Sequence, residues 1–301
     1  MLNKKQITIL TVALLYFLWV FFFVGLRPDH VSLIAIILIA YFAHPVTKKL
    51  VSAFFIFIVY WMIYDSMRVI PNYLFNDVHI LEPYLLEKSL FGISYNNQIL
   101  TPNEYFNANP TTFLDVLSGA FYINWVPIPL MFATYLFFKN KFLLLQFFSA
   151  FLVVNLIGFV IYYLYPAAPP WYYAKYGNEL LFNTPGSCAG LAKFDSFFSI
   201  NLFHGLYEKN ANVFAAMPSL HSAYPIVVLI YALKQKIRLG IGIFALFLAG
   251  IWFAAVYTSH HYIIDLIAGG ICAFLGVYLF DKIILKMPKI NKWLLNYSKQ
   301  L

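Results

Sequence analysis

The sequence is poor in the residues that charge or cross-link a soluble domain. Only 11% of its 301 residues are charged, whereas 62% are hydrophobic. Its two cysteines, Cys188 and Cys272, are too few for a disulfide framework or a cysteine-based metal site. Because about twenty consecutive apolar residues cross the hydrocarbon core of a bilayer, the long uncharged runs exclude a soluble globular fold and indicate a membrane protein.

The apolar runs predict an all-α fold, a polytopic bundle of about eight transmembrane helices. The first run follows Lys4 and Lys5 and is too long for a signal peptide, so it is interpreted as a spanning helix. The second apolar run, residues 31–43, is short and rises only about 20 Å as a helix. To cross the membrane, this helix needs its flanking residues or a thinner bilayer. The predicted spans are 7–26, 31–43, 50–70, 117–138, 142–165, 218–233, 239–257 and 261–280.

The basic residues indicate the orientation of the bundle. With eight spans, fourteen of the 20 Lys and Arg lie in the tails and short loops of one side, and six, including Lys209, lie on the other. Such an excess marks the cytoplasmic side, so both termini are expected there and residues 71–116 and 166–217 on the opposite face. The net charge of +8 therefore reports topology, and no nucleic-acid partner is expected.

The loops contain no internal repeat or interdomain linker, so the sequence predicts one integral membrane domain over residues 1–301, with the informative motifs at about 160–280. Within the first long loop, "YLFNDVHILEPYLLEKSLFGI" is predicted to be amphipathic and to lie on the membrane surface.

The segment "TSHHYIID", residues 258–265, places His261 and Asp265 four residues apart at the start of the last predicted span. That spacing puts both side chains on one face of a helix, one turn apart. A carboxylate that accepts one ring N–H orients an imidazole and makes its other nitrogen a better base or nucleophile. An ionisable residue inside a membrane is a functional candidate. The alternative is that the two side chains pair with each other for a structural reason only.

The segment "AAMPSLHSAYP", residues 215–225, places His221 at the outer end of the sixth span, after Pro218 and Ser219, which are typical of a helix start. The sixth and eighth spans run in the same direction, so His221 and His261 are expected at one level of the membrane. Unpaired N–H groups at the two helix starts would suit an anion such as phosphate.

These segments resemble the second and third signature motifs of the type 2 phosphatidic acid phosphatase superfamily of membrane lipid phosphatases and phosphotransferases. "YPAAPPWYYAKYG" (165–177), "TPGS" (184–187), "PSLHS" (218–222) and "HHYIIDLIAG" (260–269) are similar to its inositol phosphorylceramide synthase branch, the aureobasidin-sensitive fungal enzyme and its relatives. The resemblance covers residues 160 to 270 and implies a six-helix phosphatase-like core with additional helices.

The resemblance implies the roles of three residues. His261 is the nucleophile on phosphorus, Asp265 orients it, and His221 is the general acid that protonates the leaving alkoxide and then acts as base on the acceptor. Such a course passes through a phosphohistidine. It needs no metal and no cofactor, because cations and N–H donors hold the phosphoryl oxygens.

The sequence departs from the superfamily pattern at the phosphate-binding positions. Ala255 replaces an arginine six residues before the nucleophile, and no Lys-x6-Arg-Pro motif precedes "YPAAPP". Arg68, which the spacing allows to pair with Asp65, is the first candidate ligand, and Lys175 is the second. A snorkelling arginine and a solvated lysine are the structural alternatives.

Further candidates for the substrate site come from the motifs themselves. Ser219 and Ser222 are candidate hydroxyl donors to phosphate, although a helix cap explains Ser219 almost as well. His260 does not share a face with Asp265 and is assigned a structural or acceptor-positioning role. Trp171 and Tyr172 are expected to form a wall of the active site, with an interfacial aromatic belt as the alternative.

The expected function is that of a lipid phosphotransferase, which moves inositol phosphate from phosphatidylinositol to ceramide or a similar lipid alcohol. Hydrolysis by the same residues, transfer of another head group such as phosphoethanolamine, and a transporter or non-catalytic scaffold remain alternatives. The partners are membrane lipids, and the oligomeric state stays open. The expected location is a bacterial inner membrane with a periplasmic site, and a Golgi membrane with a lumenal site is the alternative.

Overall fold

The computed structural model describes residues 4–208 and 212–301, so Lys209 lies outside the described residues. Its first half consists mainly of helices that follow the predicted apolar runs. They are α1 Lys4–Trp19, α2 Pro28–Ala43, α3 Pro45–Ala53, α4 Phe55–Ser66, α5 Leu81–Phe91, α6 Pro102–Ala108, α7 Thr112–Tyr122 and α8 Pro127–Lys139, with the strands β1 Ile93–Tyr95 and β2 Gln98–Leu100 between α5 and α6.

The second half contains the longest helix and the motif-bearing helices. They are α9 Lys141–Leu164, α10 Pro170–Tyr176, α11 Ala192–Phe198, α12 Leu202–Tyr207, α13 Leu220–Gln235, α14 Arg238–Tyr257, α15 Ile263–Leu279 and α16 Pro288–Ser298. The segments Val20–Val24 and Phe280–Ile284 extend α1 and α15 as π-helix. The predicted all-α membrane class is confirmed, since the two strands are only three residues each.

Among the described residues, fewer helices than the predicted eight are long and apolar enough to cross a membrane. Four helical segments of the described chain are long and apolar enough to cross a membrane: Lys4–Val24, Lys141–Leu164, Arg238–Tyr257 and Ile263–Ile284. Two bent pairs raise the number to six if each is one span. Helices α2 and α13 have the predicted positions but only 16 residues each.

Both bent pairs interrupt runs that the sequence analysis treated as single helices. Pro45–Ala53 meets Phe55–Val69 at 53°, and Thr112–Trp125 meets Pro127–Lys139 at 45°. Pro127 explains the second bend, because proline lacks the N–H of a helical hydrogen bond and disfavours helical backbone at the residue before it. The predicted span 117–138 is therefore a broken helix.

Helices α9, α13, α14 and α15 pack together at the centre of the bundle, with α13 in contact with the other three. Gly269 allows the start of α13 to approach α15, since a Cβ at Gly269 would lie 2.1 Å from the carbonyl oxygen of Ser219. Gly276 has the same role against α9, where a Cβ would lie 2.5 Å from a methyl group of Val154. The small residues thus set how close the motif-bearing helices come.

The two long loops, residues 71–116 and 166–217, are joined through the proline-rich motif "YPAAPPWYYAKYG" (165–177). Ala167 forms parallel bridges to both His79 and Ala215, and its N–H donates to the carbonyl of Phe214 at 2.9 Å. One segment of the motif thereby joins the loop before α5 to the loop before α13. Helix α5 buries Glu87 and exposes Leu85, Leu86 and Leu90, so its predicted place on the membrane surface stays a prediction.

Candidate active site

The two motif histidines are in direct contact. The Nδ1 atom of His221 lies 3.2 Å from Nε2 of His261. His221 occupies the first turn of α13, and His261 belongs to the short connection between α14 and α15. The N–H groups of His260 and His261 both donate to the carbonyl of Ala255, which fixes that connection on the end of α14.

Asp265 lies on the other side of the His261 ring. Its Oδ2 atom is 3.4 Å from Nδ1 of His261 and accepts the backbone N–H of Tyr262 at 2.9 Å. Asp265 is 1% exposed and His261 is 6% exposed, so water competes little for either group. The order carboxylate, imidazole, imidazole leaves Nε2 as the nitrogen of His261 that faces His221.

The expectation of free N–H groups at the start of the eighth predicted span is wrong. Glu87 of α5 accepts the N–H of Ile263 at 3.0 Å through Oε1 and the N–H of Ile264 at 3.2 Å through Oε2. Together with the Asp265 bond to Tyr262, two carboxylates occupy the N–H groups that would have faced a phosphate. The start of α15 therefore binds protein carboxylates.

Ser219 and Ser222 both bond to backbone groups between the two motif helices. The Ser219 hydroxyl accepts the N–H of Ser222 at 3.3 Å as a helix cap, and the Ser219 N–H donates to the carbonyl of Asp265 at 2.9 Å. The Ser222 hydroxyl contacts the carbonyls of Ser219 and Leu266 at 2.7 and 3.2 Å. These bonds join α13 to α15, and the phosphate-binding role of both serines stays a prediction.

His260, Trp171 and Tyr172 differ in how they are connected to the histidine pair. The ring centroid of His260 is 5.2 Å from that of Tyr122, and Nδ1 of His260 bonds to the Thr258 hydroxyl at 3.0 Å. The N–H of Trp171 donates to the carbonyl of Ser259 at 3.1 Å, which attaches the proline-rich motif to the same connection. The Tyr172 hydroxyl instead bonds to the backbone at 179 and 181.

Asp65, the expected partner of Arg68, lies at the centre of a cluster of charged side chains, and its direct pairing with Arg68 stays a prediction. The Asp65 carboxylate contacts Arg27 at 3.0 Å and His30 at 3.1 Å, and it accepts the Tyr16 hydroxyl at 3.3 Å. Arg68 is half-buried and interacts electrostatically with this charge cluster.

The role of Lys175, the second cationic candidate, and the expectation that no metal is needed both stay predictions. The Nζ atom of Lys175 lies 5.0 Å from the ring centroid of Tyr176, on an exposed side chain. Both Arg68 and Lys175 therefore stay predictions as phosphate ligands. Among the residues that the structure describes, no three or more His, Cys, Asp or Glu side chains form a group able to hold a metal ion.

The first half of the chain supplies site residues that the motifs did not indicate. The Tyr122 hydroxyl, at the end of α7, lies 3.3 Å from Nδ1 of His221. The Asn103 amide donates to the carbonyls of Val256 and His261 at 2.8 and 3.0 Å, and Asn107 donates to the Ser259 hydroxyl at 3.0 Å. Asn103 and Asn107 are four residues apart on one face of α6, which is the only sequence signal for this layer.

Comparison with known proteins places these residues in context. Residues 97–279 match the PAP2 superfamily, a region that begins well before the quoted motifs and includes Asn103, Asn107 and Tyr122. Over 301 residues, the chain is 44% identical to phosphoinositol dihydroceramide synthase of Bacteroides thetaiotaomicron, with 99% of each chain covered.

Fungal proteins show a weaker similarity. The inositol phosphorylceramide synthase catalytic subunit AUR1 of Saccharomyces cerevisiae is 31% identical over 122 residues, which are 40% of this chain and 30% of the yeast protein. The inositol phosphorylceramide synthase of Candida albicans is 29% identical over 206 residues, which are 65% of this chain and 41% of the fungal one. No solved structure matches the chain.

Proposed function

Because the chain belongs to the PAP2 superfamily, we propose that it transfers inositol phosphate from phosphatidylinositol to a ceramide-type lipid alcohol and releases diacylglycerol. The resemblance predicted from the motifs is confirmed. The substrates rest on one observation, the 44% identity over the full length to phosphoinositol dihydroceramide synthase. That relative makes dihydroceramide the preferred acceptor.

The proposed chemistry assigns the attacking atom to His261. Nε2 of His261 forms a bond to phosphorus, and the bond from phosphorus to the diacylglycerol oxygen breaks. His221 gives its proton to that oxygen, so neutral diacylglycerol leaves and inositol phosphate remains on His261. Asp265 holds Nδ1 of His261, at 3.4 Å, and stabilises the positive charge that develops on the ring.

The second half of the reaction reverses these roles. The acceptor hydroxyl gives its proton to His221, its oxygen forms the bond to phosphorus, and the bond to Nε2 of His261 breaks. Because Nδ1 of His221 lies only 3.2 Å from Nε2 of His261, a phosphoryl group must separate the two nitrogens to reach Nε2. The oxygens of that group are proposed to contact Arg68 or Lys175, which are the two cationic candidates of the outer face.

The protein is integral to the membrane by its apolar helices. For its location we propose a bacterial inner membrane with the site on the periplasmic side, and one catalytic domain over the whole chain. The relative from Bacteroides thetaiotaomicron and the excess of basic residues in the tails and short loops support that orientation. Both lipids then reach the site laterally from the outer leaflet.

Replacement of His261 by Ala tests the proposed function. Purified protein is supplied with labelled phosphatidylinositol, with and without dihydroceramide, and products are identified by mass spectrometry. We expect the wild type to form a new phosphoinositol sphingolipid and His261→Ala to lose at least about a thousandfold in turnover, since an activated nucleophile contributes that much or more. His44→Ala, at the exposed start of α3, is the matched control.

Two results would contradict this proposal. Water-soluble inositol phosphate as the sole product would assign hydrolysis instead of transfer, and activity of His261→Ala within about tenfold of wild type would remove His261 from the nucleophile role.

A further inference from the structure

Helix α5 places a buried carboxylate against the start of the helix that follows the nucleophile. Glu87 is 0% exposed, although it belongs to an outer loop. The neighbouring residues Tyr84, Tyr262 and Ile264 are the buried members of one apolar cluster. Burial of a carboxylate is costly unless it is paired or hydrogen-bonded. The two N–H bonds from α15 offset that cost for Glu87.

Those two bonds hold the part of α15 nearest to the catalytic pair. Ile263 and Ile264 are the first two residues of α15, and their N–H groups have no partner within the helix. Oε1 and Oε2 of Glu87 accept one each, at 3.0 and 3.2 Å. His261 precedes Ile263 by two residues and Asp265 follows Ile264 directly, so a shift of this turn would move both ends of the 3.4 Å contact.

We propose that Glu87 is a positioning residue for the proposed phosphotransfer, whose ionised carboxylate fixes the first turn of α15 and thereby aligns Asp265 with His261. This inference rests on the proposed function. Glu87 does not contact the reacting atoms. It acts through the backbone, and only the ionised form offers an acceptor oxygen to both N–H groups without a competing O–H proton.

The charges around Glu87 allow this carboxylate to change its protonation state near neutral pH. The pKa of Glu87 is raised to about 7, because the rise caused mainly by burial, with a smaller contribution from Asp265, exceeds the lowering by the two N–H bonds. The other titratable groups that face this cluster are Tyr262 immediately before α15, Tyr84 and Lys88 on α5, Glu104 on α6, and Tyr173 on α10. Lys88 donates to the Tyr84 hydroxyl at 3.0 Å.

The expected activity therefore rises with pH. With a pKa of about 7, Glu87 is roughly one tenth ionised at pH 6 and nine tenths ionised at pH 8. Turnover that depends on the ionised form should increase about tenfold across this interval. The apparent KM for phosphatidylinositol should stay constant, because Glu87 does not contact the lipid.

The variant Glu87→Gln tests the proposal, since its amide oxygen accepts one N–H and its NH2 group faces the other. We expect kcat at pH 8 to fall about tenfold, with an unchanged KM, and the rise between pH 6 and 8 to disappear. Glu82→Gln on the same helix, at an exposed side chain, is the matched control and should keep both kcat and the pH profile of the wild type.

Hydrogen exchange of the Ile263 and Ile264 amides provides a second measurement that needs no activity. Corrected for the intrinsic rate at each pH, exchange should be faster in Glu87→Gln than in wild type, and faster in wild type at pH 6 than at pH 8. Wild-type kcat and pH profile in Glu87→Gln, or unchanged exchange, would overturn the proposal. If wild type forms no transfer product, the proposed function fails, and the exchange measurement still decides the role of Glu87.

Discussion

At the residue scale, the His221 ring is constrained by two groups that converge on one nitrogen. Nδ1 of His221 lies 3.2 Å from Nε2 of His261 and 3.3 Å from the Tyr122 hydroxyl. The Trp125 ring packs edge-on against it, with centroids 4.4 Å apart. In its proposed role of general acid, His221 would benefit from these fixed partners, because they set the orientation of its ring before the lipid arrives.

Tyr122→Phe should lower kcat about fivefold and leave the fold intact. The change removes one hydrogen bond to His221, worth about 1 kcal/mol, and keeps the shape of the ring. Turnover with saturating lipid is the measurement, and Tyr135→Phe on the exposed side of α8 is the control. A Tyr122→Phe enzyme within twofold of wild type would assign the hydroxyl a packing role only.

The alanine at position 255 has a structural explanation. Ala255 is fully buried in a cluster with Leu191, Phe203 and Leu266, and its carbonyl accepts the N–H groups of His260 and His261. A larger charged side chain would have to enter that apolar cluster, where burial of an unpaired charge is costly. We therefore expect the proposed phosphate-binding cation to come from another element.

At the element scale, the distance between α13 and α15 decides whether the two histidines meet. His221 lies in the first turn of α13 and His261 lies two residues before α15, and the two helices are joined by the bonds of Ser219 and Ser222 to α15. Gly269 lies at this crossing, and no side chain can extend from it without contact. The geometry of the site therefore depends on the absence of a methyl group one helical turn below Asp265.

Gly269→Ala should separate α13 from α15 and reduce turnover at least about a hundredfold, because a displacement of about 1 Å at reacting groups has that effect. The added Cβ would lie 2.1 Å from the Ser219 carbonyl oxygen, and overpacking of this kind costs about 1–3 kcal/mol of stability. Turnover and the thermal midpoint in detergent are measured together.

Gly242→Ala in α14 is the matched control, since a Cβ there meets no atom within 4 Å. It should leave turnover unchanged and the midpoint equal or slightly higher, because Ala favours a helix over Gly. Wild-type turnover in Gly269→Ala would show that the two helices adjust to the methyl group.

The N-terminal helices are attached by charge in a mostly apolar environment. Arg27, which precedes α2, and His30 of α2 both contact Asp65 of α4, and Tyr16 of α1 donates to the same carboxylate. Asp65 is 6% exposed. One carboxylate thus joins α1 and α2 to α4, and α4 in turn packs against the central core through Ile56 and Tyr60.

At the scale of the whole molecule, the excess of basic residues in tails and short loops predicts an orientation that labelling can check. Single cysteines are introduced at Ser298 near the C-terminus and at Ser199 in the outer loop, after Cys188 and Cys272 are replaced. In intact bacterial cells with a permeable outer membrane, a membrane-impermeant maleimide should label position 199 and not position 298. The reverse pattern would place the histidine pair on the cytoplasmic side.

The sequence by itself determined the helices and the local pair of the site. Apolar runs specify where α1, α9, α14 and α15 lie, because burial in a bilayer needs only sufficient length and hydrophobicity. The spacing of four residues correctly predicted that Asp265 lies near His261, but the predicted helical turn between them is wrong, because α15 begins at Ile263 and the backbone at Tyr262 is extended. The order and spacing of the motifs were likewise sufficient to indicate the family.

Only the tertiary structure decided which distant groups complete the site. Tyr122 is 99 residues from His221, and Glu87 is 176 residues from Ile263. No local periodicity relates such positions, and whether the carboxylate of Glu87 caps α15 or faces solvent depends on how α5 packs. The same packing closed the N–H groups of α15 to phosphate, since a helix start binds whichever anion the fold brings to it.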